Sequence, residues 1–270
     1  MTRSARPLAL LLGSGAVVVL ALSACSSSTA GKGSASTPAA GSGSGGFPAS
    51  SSAPSTGGPS ASGSGSIAPS GGIPSHATLA GIVLRAGDLP SGWTAQPSSS
   101  NSSGDDQVQQ DVAACIGVTN INSANRVEEV DSDEFQQSDD SFDSDATSFK
   151  VQSEIENRLA VLRSPKADAC FTKALQTELS KSMPTGAKIG DASFHIDGQP
   201  TGYPSNVAAV ATGTITVTVQ QQTLTVHLYE AFIVGRLLGA NVQYTGVTGP
   251  VDQSVWLAAV SAVARRAAAA

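Results

Sequence analysis

His76, His195 and His227 are the residues of this 270-residue chain best suited to proton transfer near neutral pH, and Cys25, Cys115 and Cys170 are its only thiols. None of the three histidines stands in a recognisable catalytic motif, because HExxH, G-x-S-x-G and the Walker loop are all missing. No catalytic residues are assigned. A triad can nevertheless assemble from residues far apart in sequence, so hydrolysis stays open as the alternative chemistry. A calcium reading has some support: Asp143, Asp145, Thr147 and Glu154 fall at positions 1, 3, 5 and 12 of an EF-hand loop. Ser148 replaces the turn glycine, however, and Lys150 places a cation inside the loop. Phe149, Val151, Ser153 and Ile155 also alternate with Lys150, Gln152, Glu154 and Glu156, which is the period of a strand. No metal site is expected. GSGSGG at 41–46 matches a dinucleotide fingerprint, but no strand precedes it and no helix follows, so no cofactor is expected either.

Three side chains have the chemistry of a ligand groove: His227 and Tyr229, two apart on one face of a predicted strand, and Trp93, which follows Pro90-Ser91-Gly92. Simpler roles exist for each. A sheet face turned to water accounts for the first two, and a core plug closing a turn accounts for Trp93.

Location can be read more directly. Arg3 and Arg6 precede the stretch Leu8 to Leu22, which is apolar except for Gly13, Ser14 and Gly15, and this is the layout of an export signal. The run is shorter than the roughly 20 residues that a permanent membrane helix needs. Leu22-Ser23-Ala24-Cys25 follows and resembles the lipobox of bacterial lipoproteins. The resemblance implies diacylglyceryl transfer to the Cys25 sulfur and removal of residues 1–24. At about 0.8 kcal/mol per buried CH₂, two long acyl chains give on the order of 20 kcal/mol, an essentially permanent anchor. The expected location is the outer face of the cell membrane. With Cys25 lipidated, Cys115 and Cys170 remain in an oxidising compartment, where they form a disulfide or stay as two buried thiols. A bridge closing a loop of about 55 residues would contribute roughly 4 kcal/mol.

Loss of Arg3 and Arg6 takes the formal charge from −6 to −8. An acidic body argues against nucleic acid and anionic head groups as partners. The Ala, Gly and Ser excess suggests a high-GC actinobacterium.

These residues divide among three segments: a signal peptide over 1–24, a tether over 25–75 and a globular domain over 76–270. From Ser26 to Ser75, 46 of 50 residues are Ser, Gly, Ala, Pro or Thr, too little apolar surface to offset the entropy of ordering. A disordered tether of this length spans roughly 40 Å. From His76 on, about 195 residues suffice for one core. Short helical spacing after Ser75 ends at Asp88-Leu89-Pro90-Ser91-Gly92-Trp93, and a second helix is expected with Asp105 as cap and Cys115 against the core. Residues 128–145 carry nine acids and no bases, and a loop or poorly ordered hairpin is expected. Phe149 to Glu156 reads as a strand. Ser164 and Pro165 open a helix whose stripe includes Cys170, Phe171, Leu175, Leu179 and Met183. Strands over Ala192 to Asp197, Val207 to Gln220, Thr223 to Val234 and Ala240 to Thr245 have connections short enough for a meander. One face of that sheet should carry the helices, while the Thr-rich face stays half wet. A last helix carries Trp256, Val260 and Val263.

The globular part resembles the extracytoplasmic domain of actinobacterial lipoproteins of the LpqN type and the sensor domains of some membrane Ser/Thr kinases. Leu89-Pro90-Ser91-Gly92-Trp93, a strand leading into the helix around Ala169-Cys170-Phe171, and the terminal meander with its helix carry the likeness. It implies an α+β fold of the Mog1/PsbP kind, an antiparallel sheet flanked by helices, with a binding or sensing role and no catalysis. The expected partners are the membrane, through the anchor, and a small amphiphile, a cell-wall component or an envelope protein. A cell-envelope hydrolase and a passive structural or antigenic surface protein are the alternatives.

Overall fold

The computed structural model describes residues 72–98, 102–118, 123–182, 187–219, 221–247 and 249–270. The expected signal peptide, Cys25 and nearly all of the tether lie outside these residues, as do Met183, Pro184 and Gly186. No described helix is long and apolar enough to cross a membrane.

The chain is α+β. Its helices are α1 (His76–Ala80), α2 (Ser102–Ile116), α3 (Gln152–Leu162), α4 (Ala167–Ser182) and α5 (Gln253–Ala269). Its strands are β1 (Thr94–Gln96), β2 (Arg126–Asp131), β3 (Glu134–Gln137), β4 (Asp140–Phe149), β5 (Lys188–Asp197), β6 (Val207–Val219), β7 (Gln222–Gly235) and β8 (Leu238–Gly246). They form one antiparallel sheet in the order β1-β3-β4-β8-β7-β6-β5, with β2 also pairing β4. The expected meander is β5 to β8, in sequence order and joined by short connections.

Helices cover both faces of the sheet, which corrects the expectation of one helical and one wet face. On the first face α1 and α5 bury Leu79, Ile82, Phe142, Ile233, Trp256 and Val263. On the second, α2, α3 and α4 bury Val112, Leu162, Phe171, Leu175, Ile215 and Phe232. The physical reason lies in the run Glu230 to Ile233, every residue of which is buried, so neither face can be left to solvent there. The Thr-rich face is thus covered at one end and open at the other.

The acidic segment is ordered, so a loop is the wrong form for it. β2 and β3 run along the same edge of β4, Asp131 opposite Asp145 and Phe135 opposite Phe142, and turn back through Ser138 at φ 58°. Phe149 to Glu156 is not a strand: β4 ends at Phe149 and α3 begins at Gln152, burying Ile155, Arg158 and Leu162 at helical spacing. Asp143, Asp145 and Thr147 therefore lie on extended backbone, which removes the calcium loop. α2 begins at Ser102, which puts Asp105 inside the helix and not at its cap.

Two other devices fix the frame. Arg266, near the end of α5, donates through Nη1 and Nη2 to the Asp88 carboxylate at 3.0 and 2.7 Å, and to the carbonyls of Ile82 and Val83 at 2.9 and 3.0 Å. Burial alone would raise the Asp88 carboxyl, but the Arg266 guanidinium and the Arg85 N–H overcome it and hold it below the usual range. Cys115 and Cys170 form a disulfide between α2 and α4. Cys170 is buried and Cys115 is exposed, so the bridge runs from core to surface and does not join two inner faces as expected.

Candidate functional site

Cross-strand register decides which side chains meet on the open half of the first face. In antiparallel pairing, directly opposed residues project to the same side of the sheet. Ser193 opposes Thr214, which opposes His227; His195 opposes Thr212, which opposes Tyr229. These six residues form two rows across β5, β6 and β7, and Thr216, Thr218, Thr223 and Thr225 extend them toward the β6–β7 turn. α5 packs on β7 and β8 on this face, whereas α4 packs on β5 and α3 on β6 from the second face.

Some of these groups are committed to one another. Ser193 Oγ and Thr214 Oγ1 are 3.1 Å apart, Thr218 and Thr223 hydroxyls are 3.0 Å apart, and Thr216 donates to the Asp191 carbonyl at 3.2 Å. Among the described residues nothing hydrogen-bonds the Thr212 hydroxyl, the His227 ring or the Tyr229 hydroxyl. These three are neighbours and half-buried. The other histidines are partnered: His76 with Glu128 at 2.8 Å and His195 with Asp168 at 3.2 Å.

Tyr229 also closes one end of an aromatic ladder. Its ring lies 5.9 Å from Tyr244 in an edge contact and 5.7 Å from Trp256; Tyr244 meets Phe142 at 5.1 Å, and Phe142 meets Trp93 at 5.0 Å. Trp256 donates to the Tyr203 hydroxyl at 2.9 Å. The Tyr244 hydroxyl donates to the Gly249 carbonyl, and burial, reinforced by the nearby Asp140 charge, raises its pKa well above the ordinary tyrosine value. The structure therefore brings His227 and Tyr229 together and separates Trp93 from them by two rings. Trp93 is a core plug. Gly92, at φ 108°, makes the turn that delivers it, and a Cβ there would strike Gln137 Nε2.

Two further features bear on the chemistry. Asp168, at the start of α4, accepts the Ile196 N–H at 2.9 Å through one oxygen and meets His195 Nδ1 through the other, beside an open groove of about 440 Å³ lined by Arg163, Ser164 and Asp197. No hydroxyl or thiol of the described residues bonds the His195 ring. On the second face, Asp145, Thr147, Arg158 and Asn241 line a cavity of about 40 Å³ under α3, room for a water or two and not for an amphiphile. Among the described residues no cluster of three or more metal-ligating side chains occurs.

Sequence reasoning found His227 and Tyr229 but missed Thr212 as their third member and Asp168 as the partner of His195. Strand register brings the first into place and the approach of α4 to the β5 edge the second. Neither leaves a local sequence signal.

These elements define an antiparallel α+β domain with a half-open polar sheet face. No protein-family model, no curated protein and no solved structure matches the chain.

Proposed function

We propose that the protein is a lipoprotein anchored through Cys25 to the outer face of the cell membrane, and that its folded domain is a non-catalytic binding or sensing module. The stretch 25–75, rich in Ser, Gly, Ala and Pro, is the tether in this reading. The observation that carries the module reading is the open half of the sheet, where Thr212, His227 and Tyr229 stand together with their polar atoms uncommitted. Unpaired donors and acceptors gathered on a rigid sheet are what a binding surface requires. The anchor reading rests on Leu22-Ser23-Ala24-Cys25 at the end of an apolar run.

The experiment has two arms. Cys25→Ser should move the protein from the membrane fraction to the soluble fraction; unchanged membrane partitioning removes the anchor. The full chain immobilised on beads should retain a component of solubilised envelope; retention of none supports a passive surface protein.

A hydrolase is the second reading, favoured by the Asp168–His195 pair beside its groove. A buried acid holding a histidine tautomer is half of an acid–base machine, yet here both side chains are well exposed, at 47% and 74%, and among the described residues no nucleophile bonds the histidine. Loss of envelope hydrolysis in His195→Ala, with the wild type active, would establish this reading in place of the first.

A further inference from the structure

We infer that the open half of the sheet is a carbohydrate-binding face, and that its ligand is a neutral glycan chain of an envelope polysaccharide. The inference rests on the reading of the domain as a binding module, and it names the surface and the ligand class.

Geometry provides the first argument. Strands lie about 4.8 Å apart and same-face residues about 6.8 Å apart along each strand, so the rows Ser193–Thr214–His227 and His195–Thr212–Tyr229 make a flat lattice of polar groups three strands wide. A flat lattice suits an extended chain with recurring groups better than a compact ligand, which needs a concavity. Chemistry provides the second. Hydroxyls both donate and accept, as a neutral imidazole does, so this lattice can satisfy sugar hydroxyls in either sense. The Tyr229 ring, held on one side by Tyr244 and Trp256, offers a half-exposed aromatic surface whose negative face attracts the C–H edges of a sugar ring.

Charge and hydrophobicity exclude the competing occupants. No Asp, Glu, Lys or Arg stands in the two rows, Lys188 opposite Thr218 is a cation at the margin of the face, and the chain is acidic overall, so a phosphorylated or sulfated polymer meets a Lys only at that margin and neither Lys nor Arg within the rows. A protein interface usually centres on buried apolar or arginine anchors. The exposed large hydrophobics among the described residues are Ile73, Val127 and Val151, and none of them is on this face.

The test uses the full chain in detergent, labelled at threonine methyl groups, titrated with neutral hexasaccharides of glucose, mannose, galactose, arabinose and N-acetylglucosamine. At least one should shift the methyls of Thr212, Thr214 and Thr225 at up to about 10 mM, while Thr147 under α3 stays unmoved. The corresponding monosaccharide should bind at least about tenfold more weakly, and Tyr229→Ala and His227→Ala should each weaken the hexasaccharide by about tenfold. Thr212→Val, which keeps the shape and removes the hydroxyl, should weaken it with an unchanged methyl spectrum elsewhere. Failure of all five sugars to move those methyls, equal affinity in Tyr229→Ala, or tighter binding of an acidic oligosaccharide at the same threonines overturns the inference. If the sugars fail while beads carrying the full chain still retain an envelope component, the binding module stands and the carbohydrate reading falls. If both fail, both fall.

Discussion

Arg266→Met removes the guanidinium that ties the end of α5 to the segment after α1 and keeps most of the stem. The side chain makes two hydrogen bonds to the Asp88 carboxylate and two to main-chain carbonyls, at 2.7 to 3.0 Å. Hydrogen bonds involving a charge contribute roughly 1.5–3 kcal/mol each and are not additive, and breaking a buried pair costs roughly 3–5 kcal/mol. Arg266 and Asp88 retain 23% and 13% side-chain exposure, so part of that loss is recovered by water, and about 3 kcal/mol is expected. Urea unfolding followed by the fluorescence of Trp93 and Trp256 should show the midpoint falling by about 1–1.5 M at an unchanged slope. The acid limb carries a second signature. The Asp88 carboxyl titrates lower in the folded chain than in the unfolded one, so its contribution is complete above the unfolded value of about 3.9 and disappears as pH falls through the lower folded value. Wild type should lose stability across that window, and Arg266→Met should lose less. A midpoint shift under about 0.2 M, or an identical acid limb in the two proteins, would refute the assignment of Arg266–Asp88 as the clamp.

The disulfide and a single glycine give two more tests. Replacing Cys115 and Cys170 with Ser and Ala opens a loop of 55 residues and should cost about 4 kcal/mol, lowering Tm by about 10 °C; calorimetry with and without reductant checks it, since reductant should act on wild type only. Gly213 lies directly across from Phe194, whose ring occupies the space a Cβ would need, so Gly213→Ala should destabilise by about 1–3 kcal/mol by urea unfolding, and a neutral result would contradict the packing.

Strands β5 to β8 were legible because their alternation is long and their connections are short, and α5 because Trp256, Val260 and Val263 fall on one side of a run that follows Gly249 and Pro250. β4 was not. It is a central strand built of Ser144, Asp145, Ala146, Thr147 and Ser148, all buried, and hydrophobic patterning cannot mark a strand whose neighbours accept small polar side chains on both faces. The same weakness let Phe149, Val151 and Ile155, in alternation with Lys150, Gln152, Glu154 and Glu156, mimic a strand, although Ile155, Leu159 and Leu162 already stood at helical spacing. On β6 a bulge between Val207 and Ala209 puts Val207 on the α5 side with Val210, which simple alternation does not show, and how far α5 reaches along the sheet is likewise a tertiary matter. Val210 is covered while Thr212 to Thr218 are half-exposed on the same face. In the site, His227 and Tyr229 could be read from a period of two on one strand. Thr212 needed the β6–β7 register, and Asp168 needed the packing of α4 against the sheet edge.

The open sheet face as the contact surface is tested most directly in intact cells with a diazirine amino acid in place of Thr225, and separately in place of Val127, which is exposed on β2 at the far side of the sheet. Irradiation should give a periodate-stained, glycan-bearing adduct from position 225 and none from position 127. Equal labelling at both positions, or labelling from 127 alone, would contradict the account.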